Sequence, residues 1–234
     1  RPEYVCDIGG VSDMTGVSIS DEEVRLGALT TIRLIERDEE IRRYWPHLSE
    51  AASQVGNVRV RNMATLGGAL SYGEPQTDTP VALLAMRGSV IASGVNSSRE
   101  IELDQFFVGP YETALAPGEI LSAVKIPRPK GNSGGCHVKF TVGSPENKPV
   151  ANASAAITLG SSGEIEDARL VVGAVGPTPF LTSATNDLVG HELNEGTIRA
   201  LSKHVSEEIE PIDDVRGPAW YKRRITQALV EDAL

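Results

Sequence analysis

Apolar positions change their spacing several times along this chain, and each change predicts an element. EYVCDIGG (residues 3–10) and EEVRLGAL (22–29) read as short strands, the first closed by paired glycines. From residue 32 the period becomes helical. Ile32, Ile35, Ile41, Tyr44 and Leu48 recur at helical intervals and Pro46 stands where a new helix begins, which predicts two short helices. TPVALLAMRG (79–88) predicts a helix capped by Gly88, with Asp78 or Thr79 supplying the oxygen for its first free amides. SVIASG (89–94), REIELDQF (99–106) and EILSAVKIP (119–127) follow as strands, the last ended by Pro127.

RPKGNSGG (128–135) is rich in Gly, Pro and Ser and reads as a linker. Beyond it CHVKFTVG, VANASAAITL and EIEDARLVVGAVG have the texture of a half-buried antiparallel sheet. Ile198, Leu201, Val205 and Ile209 then mark one face of a helix, and Tyr221, Ile225 and Leu229 mark one face of a second. The pattern is therefore α+β: a first domain over 1–128, then a small domain over 129–234 of antiparallel sheet with helices packed on one face.

Composition narrows the function classes. The 234 residues carry 22 basic and 32 acidic side chains, a formal charge of −10, which argues against a nucleic-acid partner. No run approaches the roughly 18 apolar residues of a membrane span, so no membrane insertion is expected. Cys6 and Cys136 lie far apart with no CxxC, which argues against a disulfide framework and a structural metal and fits a cytoplasmic setting. Two thiols are also too few for an iron–sulfur cluster. His47, His137, His191 and His204 are scattered without a paired nucleophile, so they read as surface or hydrogen-bonded side chains and no catalytic residue is assigned.

The candidate chemistry lies in RNMATLGGALSYGEPQTDTP (61–80). Adjacent glycines admit close approach of a ligand to the backbone, and successive amide hydrogens can converge on an anion, with Thr65 and Ser71 as hydroxyl donors. Asp78 follows at a distance that allows it to return to the same site and accept from sugar hydroxyls. The run is neither GxGxxG nor a P-loop, and a plain turn followed by a helix start remains the alternative reading of the spacing.

VRVRNMATLGGALSYGEPQTDTPVALLA (58–85) resembles the second flavin motif of the FAD-binding medium subunit of molybdenum hydroxylases, the xanthine dehydrogenase and aerobic carbon monoxide dehydrogenase family. DIGGVSDMTGV, VRLGALTT, GPYETALAPGEILSAVKIP, VKF and VVGAVGPTP resemble further family segments in order and spacing. The resemblance implies the C-terminal part of a PCMH-type, vanillyl-alcohol-oxidase-like FAD-binding domain, lacking an earlier glycine-rich flavin motif that resembles AGGTDL. It implies that Thr65, Leu66, Gly67, Gly68 and Ala69 wrap the flavin phosphate and ribityl region and that Asp78 holds a flavin hydroxyl. Val55 and Leu121 would be apolar contacts, and Lys139 would approach from the C-terminal domain. The family has Asn or Asp where this chain has Ala69, so only the backbone contribution carries over there.

The function so implied is electron transfer. FAD would take electrons from an iron–sulfur small subunit carrying 2Fe-2S clusters, served by a molybdopterin large subunit, and pass them to NAD, oxygen or a quinone in a dimer of heterotrimers. A stand-alone FAD-dependent oxidase and a cofactor-free assembly module are the alternatives. No metal site is expected in this chain.

Overall fold

Residues 2–234 are described in a computed structural model. The first half begins with β1 (Val17–Ile19) and β2 (Glu23–Gly27). Six helices follow: α1 (Ile32–Arg37), α2 (Glu39–Tyr44), α3 (Pro46–Ser53), α4 (Val58–Met63), α5 (Leu66–Tyr72) and α6 (Asp78–Ala85). Then come β3 (Ser89–Ser93), β4 (Ser98–Glu102), the small hairpin β5 (Phe107–Gly109) with β6 (Glu112–Thr113), and β7 (Ile120–Pro127). The second half holds β8 (Ser133–Phe140), β9 (Ala151–Leu159), β10 (Ile165–Gly173), β11 (Phe180–Leu181), α7 (Glu195–Glu208) and α8 (Ala219–Ala233).

Each half builds one main antiparallel sheet, with the β5-β6 hairpin apart from both. In the first the order is β1-β2-β7-β3-β4, and in the second it is β11-β10-β9-β8. Val24 and Leu26 of β2 and Val124 and Ile126 of β7 turn inward onto Ile32, Ile35 and Leu48 of the helical layer, all fully buried, so period-two strands meet period-3.6 helices in one core. The second core forms where Ala153, Ala155, Leu170 and Val172 face Leu201 and Val205 of α7 and Leu229 and Val230 of α8.

The second sheet has another covered face. Asn152 and Ser154 alternate with the alanines of β9 and are fully buried, because α3 and α6 of the first half pack against β8, β9 and β10. The second half's own helices, α7 and α8, pack on one face of that sheet as expected, and helices of the first half cover the other. This seam between the halves positions the polar groups described below.

Four local readings of the sequence are corrected. Residues 3–8 form no strand, since no neighbouring strand pairs with them, and Tyr4 and Val5 stay exposed. The helical stretch from residue 32 to 53 divides into three, because Asp38 leaves helical geometry at ψ 124° and its carboxylate accepts from the amides of Glu40 and Ile41, starting α2 afresh. Pro46 does open α3, and α4 adds a fourth helix before the glycine pair. Neither Asp78 nor Thr79 caps α6: Thr77 is its N-cap, without a side-chain bond. At the other end Arg87 takes the left-handed conformation at φ 57°, and Gly88 donates back to the Leu83 carbonyl at 2.9 Å. Finally, Ser133, Gly134 and Gly135 of the expected linker already belong to β8 and pair with Ala156, Ile157 and Thr158. A side chain at Gly135 would run into the ring of His47, so glycine lets α3 and β8 approach.

Candidate functional site

The glycine pair lies at the start of α5. Residues 64–67 pair with 28–32: Ile32 donates to Ala64, Leu66 to Thr30, and Gly67 to Ala28 at 2.7 Å. Thr65 is the N-cap of α5 and its hydroxyl oxygen accepts from the Gly68 amide at 3.2 Å. Ala69 donates to the Thr65 carbonyl at 3.0 Å. The amides of 66, 67 and 69 are thus engaged inside the protein, which corrects the expectation of a nest of successive free amides. Regular helix and bridge geometry has claimed them.

The two glycines do different things. Gly67 is buried, and an added Cβ would lie 2.5 Å from the Ala28 Cβ and 2.9 Å from its carbonyl oxygen, so this glycine serves close packing of two backbone segments. Gly68 is exposed, and an added Cβ would meet only the Thr65 hydroxyl. The Thr65 hydroxyl, which accepts one bond and keeps its own proton to donate, and the long-bonded Gly68 N–H are the groups available to a ligand here. Leu66 is fully buried and Ala69 half-buried. Leu121 is buried on β7, and its neighbour Ser122 accepts from Ala28, so β7 and the glycine run meet through the same Ala28.

Asp78, Val55 and Lys139 form a second group at the seam. Asp78 Oδ2 is 2.9 Å from Lys139 Nζ, and its Oδ1 accepts from Asn152 Nδ2 at 2.8 Å. The His137 Nε2 lies 3.5 Å from Oδ1. Burial works to raise the Asp78 carboxyl, but the His137 imidazole and the Lys139 ammonium outweigh it and hold the group below the ordinary carboxylate range. Both oxygens of Asp78 are therefore committed to protein groups, so its effect on a flavin would pass through Lys139.

Lys139 also donates to the carbonyl of Gln54 at 2.8 Å, which places it beside half-buried Val55. An ammonium has three donors, and two are now accounted for. Lys139 lines a cavity of about 280 Å3 with Gln54, Gly56 and Thr141, into which the third can be directed.

Several residues that shape this group were not singled out in the sequence. Arg61 donates to the carbonyls of Val55 and Gly56 at 3.1 and 3.0 Å while its Nε meets Glu36 at 2.7 Å, so it fixes the turn after α3. Glu50 accepts the His137 amide at 2.8 Å. Strand alternation was a usable signal: His137 and Lys139 are two apart on β8, and the register sets Asn152 opposite Lys139. His47 and His137 are not surface residues. His47 is buried with neither ring nitrogen bonded to any described residue, and burial together with the nearby His137 pushes its pKa down to about 4.

These residues fit a flavin at two points, through the Gly68–Thr65 donors and through the remaining Lys139 donor. Comparison with known proteins gives the family. Residues 1–129 match the family described as FAD binding domain in molybdopterin dehydrogenase, and residues 146–234 match the CO dehydrogenase flavoprotein C-terminal domain. The glyceraldehyde dehydrogenase medium chain of Sulfolobus acidocaldarius is 31% identical over 99% of this chain and 82% of its own length. The nicotine 6-hydroxylase medium subunit of Paenarthrobacter nicotinovorans is 33% identical over 98% of this chain and 80% of its own. Among solved structures, a carbon monoxide dehydrogenase from Hydrogenophaga pseudoflava superposes with a TM-score of 0.90 at 25% identity, over 94% of this chain and 77% of that one.

Proposed function

Because the chain belongs to the family of FAD-binding domains in molybdopterin dehydrogenases, we propose that it carries FAD between one-electron carriers on partner subunits and a final two-electron acceptor. The observation that carries this reading is Lys139, a nearly buried cation held by Asp78 and Gln54 with one donor left at the cavity edge. When bound, the flavin supplies the chemistry, taking up single electrons and giving up two. The rest is done by this chain's own groups.

Thr65 and Gly68 would hold the phosphate and ribityl end by hydroxyl and amide donation, while Leu66, Gly67 and Ala69 shape the loop. Val55 and Leu121 exclude water on the apolar side. Lys139 would offer its positive charge and remaining donor to the flavin, and Asp78 positions that lysine from across the seam. Residues 1–128 act as the FAD-binding domain and 129–234 as the domain that brings Lys139. The partners in this reading are an iron–sulfur small subunit and a molybdopterin large subunit in a cytoplasmic dimer of heterotrimers, with NAD, oxygen or a quinone as acceptor. Among the described residues no helix is long and apolar enough to cross a membrane.

The test is the visible spectrum of the complex, purified with its partners, before and after anaerobic addition of NADH or of the large subunit's substrate. Flavin bands that bleach with either donor support electron carriage through this chain. A complex whose iron–sulfur bands bleach while no flavin band is present contradicts it.

A further inference from the structure

A larger cavity of about 550 Å3 opens at the other end of the seam. It is lined by the N-terminal end of α3 and the first residues of β8, whereas Lys139 lies four residues beyond Gly135 on β8, about 13 Å away at strand rise. None of Thr65 to Ala69 lines it. It is therefore separate from the flavin groups.

The electrostatics of this cavity run against those of the protein. In a chain of net charge −10, its walls carry five cationic side chains, Arg43, Arg87, Arg128, Lys130 and Arg169, against Glu166 and Asp167. Only part of that positive charge is compensated. Arg87 pairs with Asp167 at 2.7 Å, and Arg169 reaches Asp104 only at 3.9 Å with its Nε unbonded and buried. Burial and the neighbouring Arg87 guanidinium push the Arg169 pKa down, so an added anion is favoured there. Arg128 stacks over the Tyr44 ring at 4.3 Å, and neither Arg43 nor Lys130 has a carboxylate within 4 Å among the described residues. Pro46, Met86, Pro127 and Ile157 give the wall an apolar part, and His47, Ser133 and Thr158 also line it.

Uncompensated guanidinium and ammonium groups select a phosphate, and the apolar wall and the volume admit a ring system beside it. From this juxtaposition we infer that the cleft between α3, β8 and β10 binds a nucleoside phosphate at a site distinct from the flavin. Such a ligand would bridge the two halves of the chain, since Arg43, Arg87 and Arg128 come from the first and Lys130 and Arg169 from the second.

The experiment is calorimetric titration of ADP into the FAD-loaded complex, compared with a complex carrying R43A and K130A, both exposed positions. The expected result is saturable binding that weakens at least tenfold in the double variant at unchanged flavin content. It should also weaken as salt is raised and be competed by inorganic phosphate more strongly than by adenosine. Absence of saturable binding overturns the inference. So does ADP binding of equal strength in the double variant, which would place the nucleotide elsewhere, or competition by adenosine alone. R43A and K130A leave the groups assigned to the flavin untouched, so the outcome of this titration is separable from that of the electron-transfer reading.

Discussion

Asp78 Oδ2 lies 2.9 Å from Lys139 Nζ, joining the first turn of α6 to β8 across 61 residues of sequence, with both side chains almost wholly buried. The pair sits between the two hydrophobic cores, so the halves of the chain meet through an ion pair whose second carboxylate oxygen is held by Asn152. Removing one partner leaves the other as an uncompensated buried charge. Asp78→Asn should cost about 3–5 kcal/mol in chemical denaturation, and pairing it with Lys139→Met should recover most of that loss. The double variant should still lose flavin, because the last lysine donor is gone with the charge.

Acid sensitivity should show His47. Its folded pKa is about 4 against an ordinary 6.5, so between those values the unfolded chain binds the extra proton and stability falls as pH falls. The loss across that window is about 3 kcal/mol for full burial. Asp78, held below the ordinary carboxylate value of 3.8, keeps its contribution above that value and loses it only as pH falls further toward its folded value, below this window, so it does not mask the effect. Denaturation midpoints from pH 7 to pH 4 should flatten in His47→Gln; an unchanged slope would exclude His47 as the source.

The glycine pair should divide by role. Gly67→Ala forces a Cβ onto the Ala28 backbone and should destabilise by about 1–3 kcal/mol. Gly68→Ala meets only a hydroxyl and should leave the thermal midpoint nearly unchanged. Thermal melts of the two variants side by side check this difference.

Arg61 ties Glu36 to the Val55 and Gly56 carbonyls. Arg61→Met should cost about 1.5–3 kcal/mol, the scale of hydrogen bonds to a charged group. Faster amide exchange around residues 54–57 in the variant would locate the loss; uniform exchange throughout the chain would not.

The larger divisions of this fold are legible in the sequence because they rest on period. The alternation in VANASAAITL gives β9, and the spacing of Leu201, Val205 and Leu229 gives the faces of α7 and α8. Local polar competition is harder to read. Asp38 splits a helical pattern by capping, and nothing in the spacing distinguishes that aspartate from a solvated one. Asp78 shows the same limit from the other side: its position before Pro80 suits a cap, yet a lysine 61 residues away wins its carboxylate. The resemblance singles out Thr65 to Ala69, while the engagement of their amides depends on Ala28 and Thr30, which only the tertiary bridge brings near.

In the proposed function an FAD rests on the Thr65–Gly68 edge of α5. The most direct measurement is the ratio of FAD to protein in the assembled complex for the natural chain and for Gly68→Val, with thermal melts to confirm that both are folded. A ratio near one that falls at least tenfold in the variant, at a closely similar midpoint, is the predicted result. Full flavin occupancy in a folded Gly68→Val complex would contradict it.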